Sequence, residues 1–340
     1  MQKIFSVLQP FKWALVSSVI VLACVAFITK DPSLIAITAT LAVLELGLSF
    51  DNAVVNAGTL KKMDKKWQDR FLLWGILIAV FGMRLVIPVL IVALFGQLPP
   101  WDALLLAFND GKHYGEILHK AHYEIAGFGG MFLAMVFLNF ILEDRDIKWL
   151  GWIERPLAKL GQLKSFATLT GLGLVFTVPL LAPTAHRLGT TLAMLSGLVI
   201  YLAVDMLADK METDAKKQTV KGAAKTGLAS FIYLEVLDAS FSFDGVIGAF
   251  AITTNVLVIM AGLGIGAFFV RSLTVFLVRG GHLDELPHLE HAAHYAIGVL
   301  AAIMFFGMAI EIPEFVTGLA GALLIALGIF TSRRHNAKNK

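Results

Sequence analysis

Ten apolar stretches follow one another along this chain, separated by short polar segments, and each is a candidate for crossing a lipid bilayer. A membrane-spanning helix needs about 20 mostly apolar residues at 1.5 Å rise. The stretches run approximately over 12–29, 34–58, 71–96, 124–142, 166–184, 188–207, 227–252, 256–278, 295–310 and 315–331. The fifth carries Pro179 and Pro183 in its second half, and the ninth is short for a full crossing. Composition points the same way. Only 16% of the residues are charged, against roughly 25% in a soluble domain, and the mean hydropathy is +0.77. These values exclude a water-soluble enzyme. A net charge of +3 leaves no broad basic surface for nucleic acid. The expected fold is all-α: a polytopic membrane helix bundle of about ten transmembrane helices, forming one transmembrane domain over residues 1–340.

Cys24 is the single cysteine, so no intrachain disulfide and no cysteine-cluster metal site is available. Val21-Leu22-Ala23-Cys24 has the outline of a lipoprotein cleavage box, but the many apolar spans after it favour a spanning helix.

Lysine and arginine in the loops set orientation. Lys61, Lys62, Lys65, Lys66 and Arg70 lie in one loop. Arg145, Lys148, Arg155, Lys159 and Lys164 lie in another, and Lys210, Lys216, Lys217, Lys221 and Lys225 in a third. Alternation puts all three on one side, with Lys3, Lys12, Arg279 and the basic tail at 333–340. Only Lys30, Lys112, Lys120 and Arg187 fall on the other side. Both termini are expected in the cytoplasm.

The interior repeats. Glu45-Leu-Gly-Leu-Ser49-Phe50-Asp51 in the second span matches Asp238-Ala-Ser-Phe-Ser242-Phe243-Asp244 in the seventh as acid-x-x-x-Ser-Phe-Asp, at an ungapped offset of 193. The next span of each half holds one arginine, Arg84 or Arg271. The span after that begins His119-Lys-Ala-His122-Tyr123 or His291-Ala-Ala-His294-Tyr295. Residues 34–142 read as a first repeat and 227–310 as a second, with 166–207 as linking helices and 315–331 as a terminal helix. An odd number of crossings separates the halves, so they are inverted, as in many transporters that bind substrate where the repeats meet.

The chemistry lies in the buried acids. A carboxylate at the bilayer centre costs at least about 2.5 kcal/mol on insertion scales. Glu45, Asp51, Glu235, Asp238 and Asp244 lie in apolar spans, and only Arg84 and Arg271 balance them there. The excess negative charge calls for a cation. Glu45, Ser49, Asp51, Asn52 and Asn56 from one helix, with Asp238, Ser242 and Asp244 from the other, form an all-oxygen donor set suited to Mn, Ca or Mg. Of the polar groups in these spans, Ser49, Asn56, Glu235, Ser242, Arg84 and Arg271 are candidates for a secondary metal contact or for coupling.

Glu45, Ser49, Asn52 and Asn56 make one stripe of a regular helix, whereas Asp51 lies about 120° from Glu45. Asp51 and Asp244 therefore join one site only if both motif helices break near Ser-Phe-Asp, where Gly47, Gly245 and Gly248 ease unwinding. His119 and His122, and likewise His291 and His294, are either stations for a transition metal or solvated helix starts beside the interface anchors Tyr123 and Tyr295.

No phosphate loop is present, so the chain has no ATP engine of its own. His-Glu-x-x-His and Gly-x-Ser-x-Gly are absent as well, and the chain is not expected to be an enzyme. Gly262-Leu-Gly264-Ile-Gly266 reads as close helix packing. The basic tail at 333–340 is a candidate for contact with anionic lipid.

The run Leu44-Glu45-Leu-Gly-Leu-Ser49-Phe-Asp51-Asn52-Ala53 resembles the first signature of the TerC family of integral membrane proteins, Glu-x-x-Leu-Ser-x-Asp-Asn. Glu235-Val-Leu-Asp238-Ala-Ser-Phe241-Ser-Phe-Asp244-Gly245 is similar to its second signature, with Gly245 where serine is usual. The resemblance covers about residues 34–310 and points to a divergent branch. It places the chain beside the lysine-exporter-like superfamily of inverted three-helix repeats, which includes manganese and calcium exporters. It implies export of a divalent metal cation, Mn2+ first, through a site built from Glu45, Asp51, Asn52, Asp238 and Asp244. With the inverted repeat, the expected cycle is alternating access at a midplane carboxylate site, coupled to protons or influenced by the membrane potential. It also implies a multi-pass protein of the bacterial plasma (inner) membrane, with no cofactor beyond the transported metal. Membrane lipid, and a second copy of the chain in a homo-oligomer, are the other expected partners. The alternatives are export of Ca2+ or another cation, a non-transporting membrane scaffold in tellurite-type stress resistance, and an intramembrane enzyme using metal-bound water.

Overall fold

The computed structural model describes residues 9–163, 165–217, 221–281, 283, 285–310 and 312–338. Within these, the side chains at 9, 72, 208–217, 221–226, 243, 244, 251, 314 and 315 lie outside the description. Among the described residues the regular elements are all helical, beginning with a 3-10 turn at Gln9–Phe11. In order the elements are α1 (Lys12–Thr29), α2 (Pro32–Leu48), α3 (Phe50–Lys61), α4 (Lys65–Leu77), a π-helical segment (Ile78–Val86), α5 (Ile87–Gly96), α6 (Pro100–Asn109), α7 (Gly111–Lys120) and α8 (His122–Leu142). There follow α9 (Gly151–Gly161), α10 (Phe166–Thr177) with a 3-10 turn (Val178–Leu181), α11 (Arg187–Lys217), α12 (Lys221–Ile252), α13 (Val256–Arg279), α14 (Leu289–Phe306) and α15 (Glu314–Lys338).

Among the described residues, seven helices are long and apolar enough to cross a membrane, or up to nine if each of two bent pairs is one span. The bent pairs are α2 with α3, at 52°, and α9 with α10 and its 3-10 turn, at 99°. α12 lies outside that count. Its 32 residues are long enough to cross, but Glu235, Asp238 and Asp244 lower its hydropathy. Each of the ten apolar stretches of the sequence thus falls on a helix or a bent pair. Two segments expected as loops contain helices of their own. Residues 143–165 hold α9, with Trp152, Arg155 and Lys159 outward, and residues 97–123 hold α6 and α7. Each of these helices has only 10 or 11 residues, too short to span alone, so the periodicity of a crossing does not reveal them.

The helices sort by depth. α8 is the most buried span and α1 the least, with α15 close to α1. Met131, Phe132, Leu133 and Met135 of α8 are fully enclosed, whereas Trp13, Phe27 and Phe330 on the outer helices are largely exposed. An outer surface of this kind suits lipid, which is as apolar as the side chains it meets. α2 packs on α13 and α12 on the π segment and α4, while α8 packs on α14. The α2–α13 approach depends on missing side chains. A Cβ at Gly262 would stand 2.8 Å from the Thr38 carbonyl, and one at Gly266 would stand 2.4 Å from Glu45 Cγ.

Loop contacts also sort. Asp69 meets Arg279, Glu290 meets Arg145, and Glu154 meets His291. The Asn336 side-chain amide donates to the Glu285 carbonyl. All of these residues lie in or beside segments that the basic-residue pattern assigns to one side.

Candidate functional site

The centre of the bundle contains a small cavity of about 10 Å³, near the minimum needed to hold one water-sized occupant. Glu45, Ser49, Asn52 and Asn56 line it from one half, with Asp238 and Arg271 facing them. All six are buried. The four residues from α2 and α3 keep the stripe spacing through the break at Ser49. Ser49 Oγ donates to Glu45 Oε1 at 3.2 Å across that break.

Arg84 reaches the cavity from the π segment. Nη2 pairs with Glu45 Oε1, and Nη1 donates to the Ala79 carbonyl at 2.5 Å. A π-helix bonds i to i+5 and widens the turn. Here it puts the Ala79 carbonyl within reach of the guanidinium five residues on. In the second half, Arg271 Nη2 meets Asp238 Oδ2 at 3.3 Å. The halves are joined directly, because Asn52 Nδ2 donates to Asp238 Oδ1 at 2.6 Å. Each half therefore pairs the first acid of its repeated motif with the arginine of its own next span.

Several polar atoms remain open. Asn52 Oδ1, Asn56 Oδ1, Arg84 Nε, Arg271 Nη1, Ser242 Oγ and both Glu235 oxygens are buried without a hydrogen-bond partner among the described residues. Leaving a buried polar atom unpaired costs about 1–3 kcal/mol. Four of these atoms, on Asn52, Asn56, Arg84 and Arg271, belong to residues that line the cavity, which marks it as a place that something polar completes.

Not all of the expected ligands meet at this cavity. Asp51 does not line the cavity. It lies in the first turn of α3, where the positive end of the helix favours a carboxylate. Its carboxyl points toward Gly321 of α15, which would carry a Cβ 4.0 Å away. The bend at Ser49 does not bring it onto the stripe. The second motif helix is not broken: α12 runs unbroken through Ser242 to Ile252. Asp244 sits on it, and its side chain lies outside the described residues. Among the described residues no three His, Cys, Asp or Glu side chains stand together as a ready metal cage. The cavity lining holds two carboxylates, Glu45 and Asp238, and each is paired with an arginine.

The two histidine pairs also differ. His119 is exposed and His122 half-buried, as expected for a surface helix start. His291 and His294 are buried instead, which corrects the solvated reading for that pair. His294 stacks on Phe140 at 3.7 Å and shares a hydrogen bond with the Glu290 carbonyl at 2.8 Å. His291 Nδ1 meets Glu154 Oε1 at 3.2 Å. Glu154 also accepts from the backbone N–H groups of Trp149 and Leu150, at 3.1 and 3.0 Å. It thus ties α9 to α14.

Residues that the sequence reading did not single out complete the site. They are the Ala79 carbonyl, Thr274 on the cavity wall, and Gly75, whose role is described below. No sequence signal marks the π segment. Gly75 could have been found as the one glycine on α4, facing the acid-rich span.

Residues 50–339 match the family described as Protein of unknown function (DUF475). An uncharacterized membrane protein, YceF, of Bacillus subtilis (strain 168) is 36% identical over 77 residues, which is 22% of this chain and 29% of that protein. The alignment thus spans less than a third of the relative's length. No solved structure matches.

Proposed function

The chain belongs to the DUF475 family, a family of unknown function, and from that premise we propose that it is a transporter of divalent metal cations, Mn2+ first. The observation that carries this reading is the central cavity. Acidic oxygens from both halves and the amide oxygens of Asn52 and Asn56 converge there, inside the apolar bundle, and among the described residues the cations lining it are Arg84 and Arg271. A guanidinium bound to a carboxylate stands where a metal ion would stand. A metal that displaces it gains carboxylate and amide oxygens from Asp238, Glu45, Asn52 and Asn56, hard donors of the kind Mn2+ and Ca2+ accept.

The reading extends to mechanism. Span 2 packs on span 8, and span 3 on span 7. That exchange of partners supports an inverted pair of repeats rocking about the cavity. The Asn52–Asp238 bond joins the two halves, so cation binding at Asp238 bears on the junction that has to move. The resemblance to TerC proteins supports export as the direction, and competition of metal and proton for the same carboxylate oxygens supports protons as the coupling ion. The lysine and arginine excess of the loops that these contacts join supports both termini in the cytoplasm.

Uptake into inside-out membrane vesicles tests the proposal. Vesicles containing the chain should accumulate Mn2+ more than Ca2+, Mg2+ or Zn2+, and collapse of the proton gradient should lower the rate. Equal uptake of all four by vesicles with and without the chain would reject it.

A further inference from the structure

We propose that Glu235 is a second seat for the Arg271 guanidinium, which moves from Asp238 to Glu235 when a divalent cation takes Asp238. This rests on the cation reading of the cavity given above. It assigns Glu235 and Gly75 as positioning residues for that site.

Arg271 is loosely held where it stands. Its contact with Asp238 is 3.3 Å, long beside the roughly 2.7–2.9 Å of a charge-assisted bond, and its Nη1 has no partner among the described residues. Glu235 lies one turn before Asp238 on α12. It is buried, and neither of its oxygens has a hydrogen-bond partner among the described residues.

The acid and the arginine converge on one notch. A Cβ at Gly75 would stand 2.8 Å from Arg271 Nη2 and 2.8 Å from Glu235 Oε1. The two atoms are therefore at most twice that distance apart, and the space between them is open because residue 75 has no side chain. The path is also paved. The Arg271 guanidinium lies over the Phe71 ring at 3.9 Å, one turn before Gly75. A guanidinium keeps its attraction to such a face as it slides across it.

Electrostatics requires the second seat. A cation at Asp238 repels Arg271, and an arginine left unpaired in the interior is strongly destabilising. Moved to Glu235, it stays paired and frees Asp238 for the metal. The first half has no such seat. At the repeat offset, Glu235 corresponds to Ala42, and Arg84 already holds both Glu45 and the Ala79 carbonyl.

The test is Mn2+ flux into liposomes containing the purified chain, read as KM and maximum rate. Glu235→Gln should raise the KM for Mn2+ tenfold or more with a smaller change in maximum rate. Glu235→Asp should restore most of the difference. Gly75→Ala, which closes the notch, should reproduce Glu235→Gln. In an Arg271→Gln background, Glu235→Gln should add no further change. An unchanged KM in Glu235→Gln, or the same shift with and without Arg271, would overturn the exchange while leaving the cation reading intact. Absence of flux from the wild-type chain would overturn the cation reading itself, and the exchange with it.

Discussion

Arg84 and Arg271 sit in matching spans of the two halves, each beside an acid of its own half, but their surroundings differ. Arg84 rises from a widened π turn and binds both Glu45 and its own Ala79 carbonyl. Its acid sits at a helix break and is braced by Ser49. Arg271 rises from a regular helix, makes one long contact to Asp238, and has a second, unpartnered acid within reach. An acid–arginine pair is therefore held by more contacts on one side than on the other. In the proposed cation exchange, the fixed pair keeps the interior folded, and the loose pair gives up its carboxylate.

Removing each acid should separate the two roles. Glu45→Ala leaves Arg84 buried without its carboxylate, and breaking a buried pair costs about 3–5 kcal/mol. Asp238→Ala should cost less, about 1–3 kcal/mol, because Arg271 has Glu235 to turn to. Thermal unfolding in detergent measures both, and equal losses would erase the distinction. Next in size is the bond between the halves. Asn52→Leu removes the hydrogen bond to Asp238 and should lower stability by about 1.5–3 kcal/mol. Gly266→Ala should act on the fixed side alone. Its methyl would press on Glu45 Cγ, at about 1–3 kcal/mol for overpacking, while leaving the KM effect of Glu235→Gln intact.

Asp51 sharpens the comparison from outside the cavity. Asp51→Asn should lower Mn2+ flux by less than about tenfold, which is about 1.4 kcal/mol, whereas Asp238→Asn should abolish it. Loss of flux in both would return Asp51 to the site.

The smallest effect lies at the end of α14, remote from both arginines. The His288 N–H donates to Ser332 Oγ at 2.9 Å, and its ring faces His335, His291 and Glu154. Burial, followed by His335 and His291, pushes its pKa below the usual value, while Glu154 pulls the other way. Protonation therefore favours the undocked state. The stability it contributes is fully present above pH about 6.5 and is lost as the pH falls. Hydrogen exchange across 327–335 should quicken on acidification, and His288→Gln should flatten that dependence without changing either arginine pair.

The span pattern, the stripe Glu45-Ser49-Asn52-Asn56 and the glycine packing of 262–266 were legible in the sequence, because each depends on helical spacing alone. The position of Asp51 was not. Spacing put it off the stripe, and the expectation that it joins the site required an unwinding that the 52° bend does not supply. The arginine partners were legible only as a choice among acids. Their actual assignment depends on the π turn and on the Gly75 notch, which are products of packing between helices distant in sequence. The burial of His291 and His294 was missed for the same reason. It is created by Phe140 and Glu154, which meet them only in the folded chain.

The most direct test of the account uses liposomes that contain the purified chain and nothing else. Radiolabelled Mn2+ should cross with saturable kinetics, and Asp238→Asn should abolish the flux in a protein that still inserts and elutes normally. No flux above empty liposomes, or flux undiminished in Asp238→Asn, would contradict it.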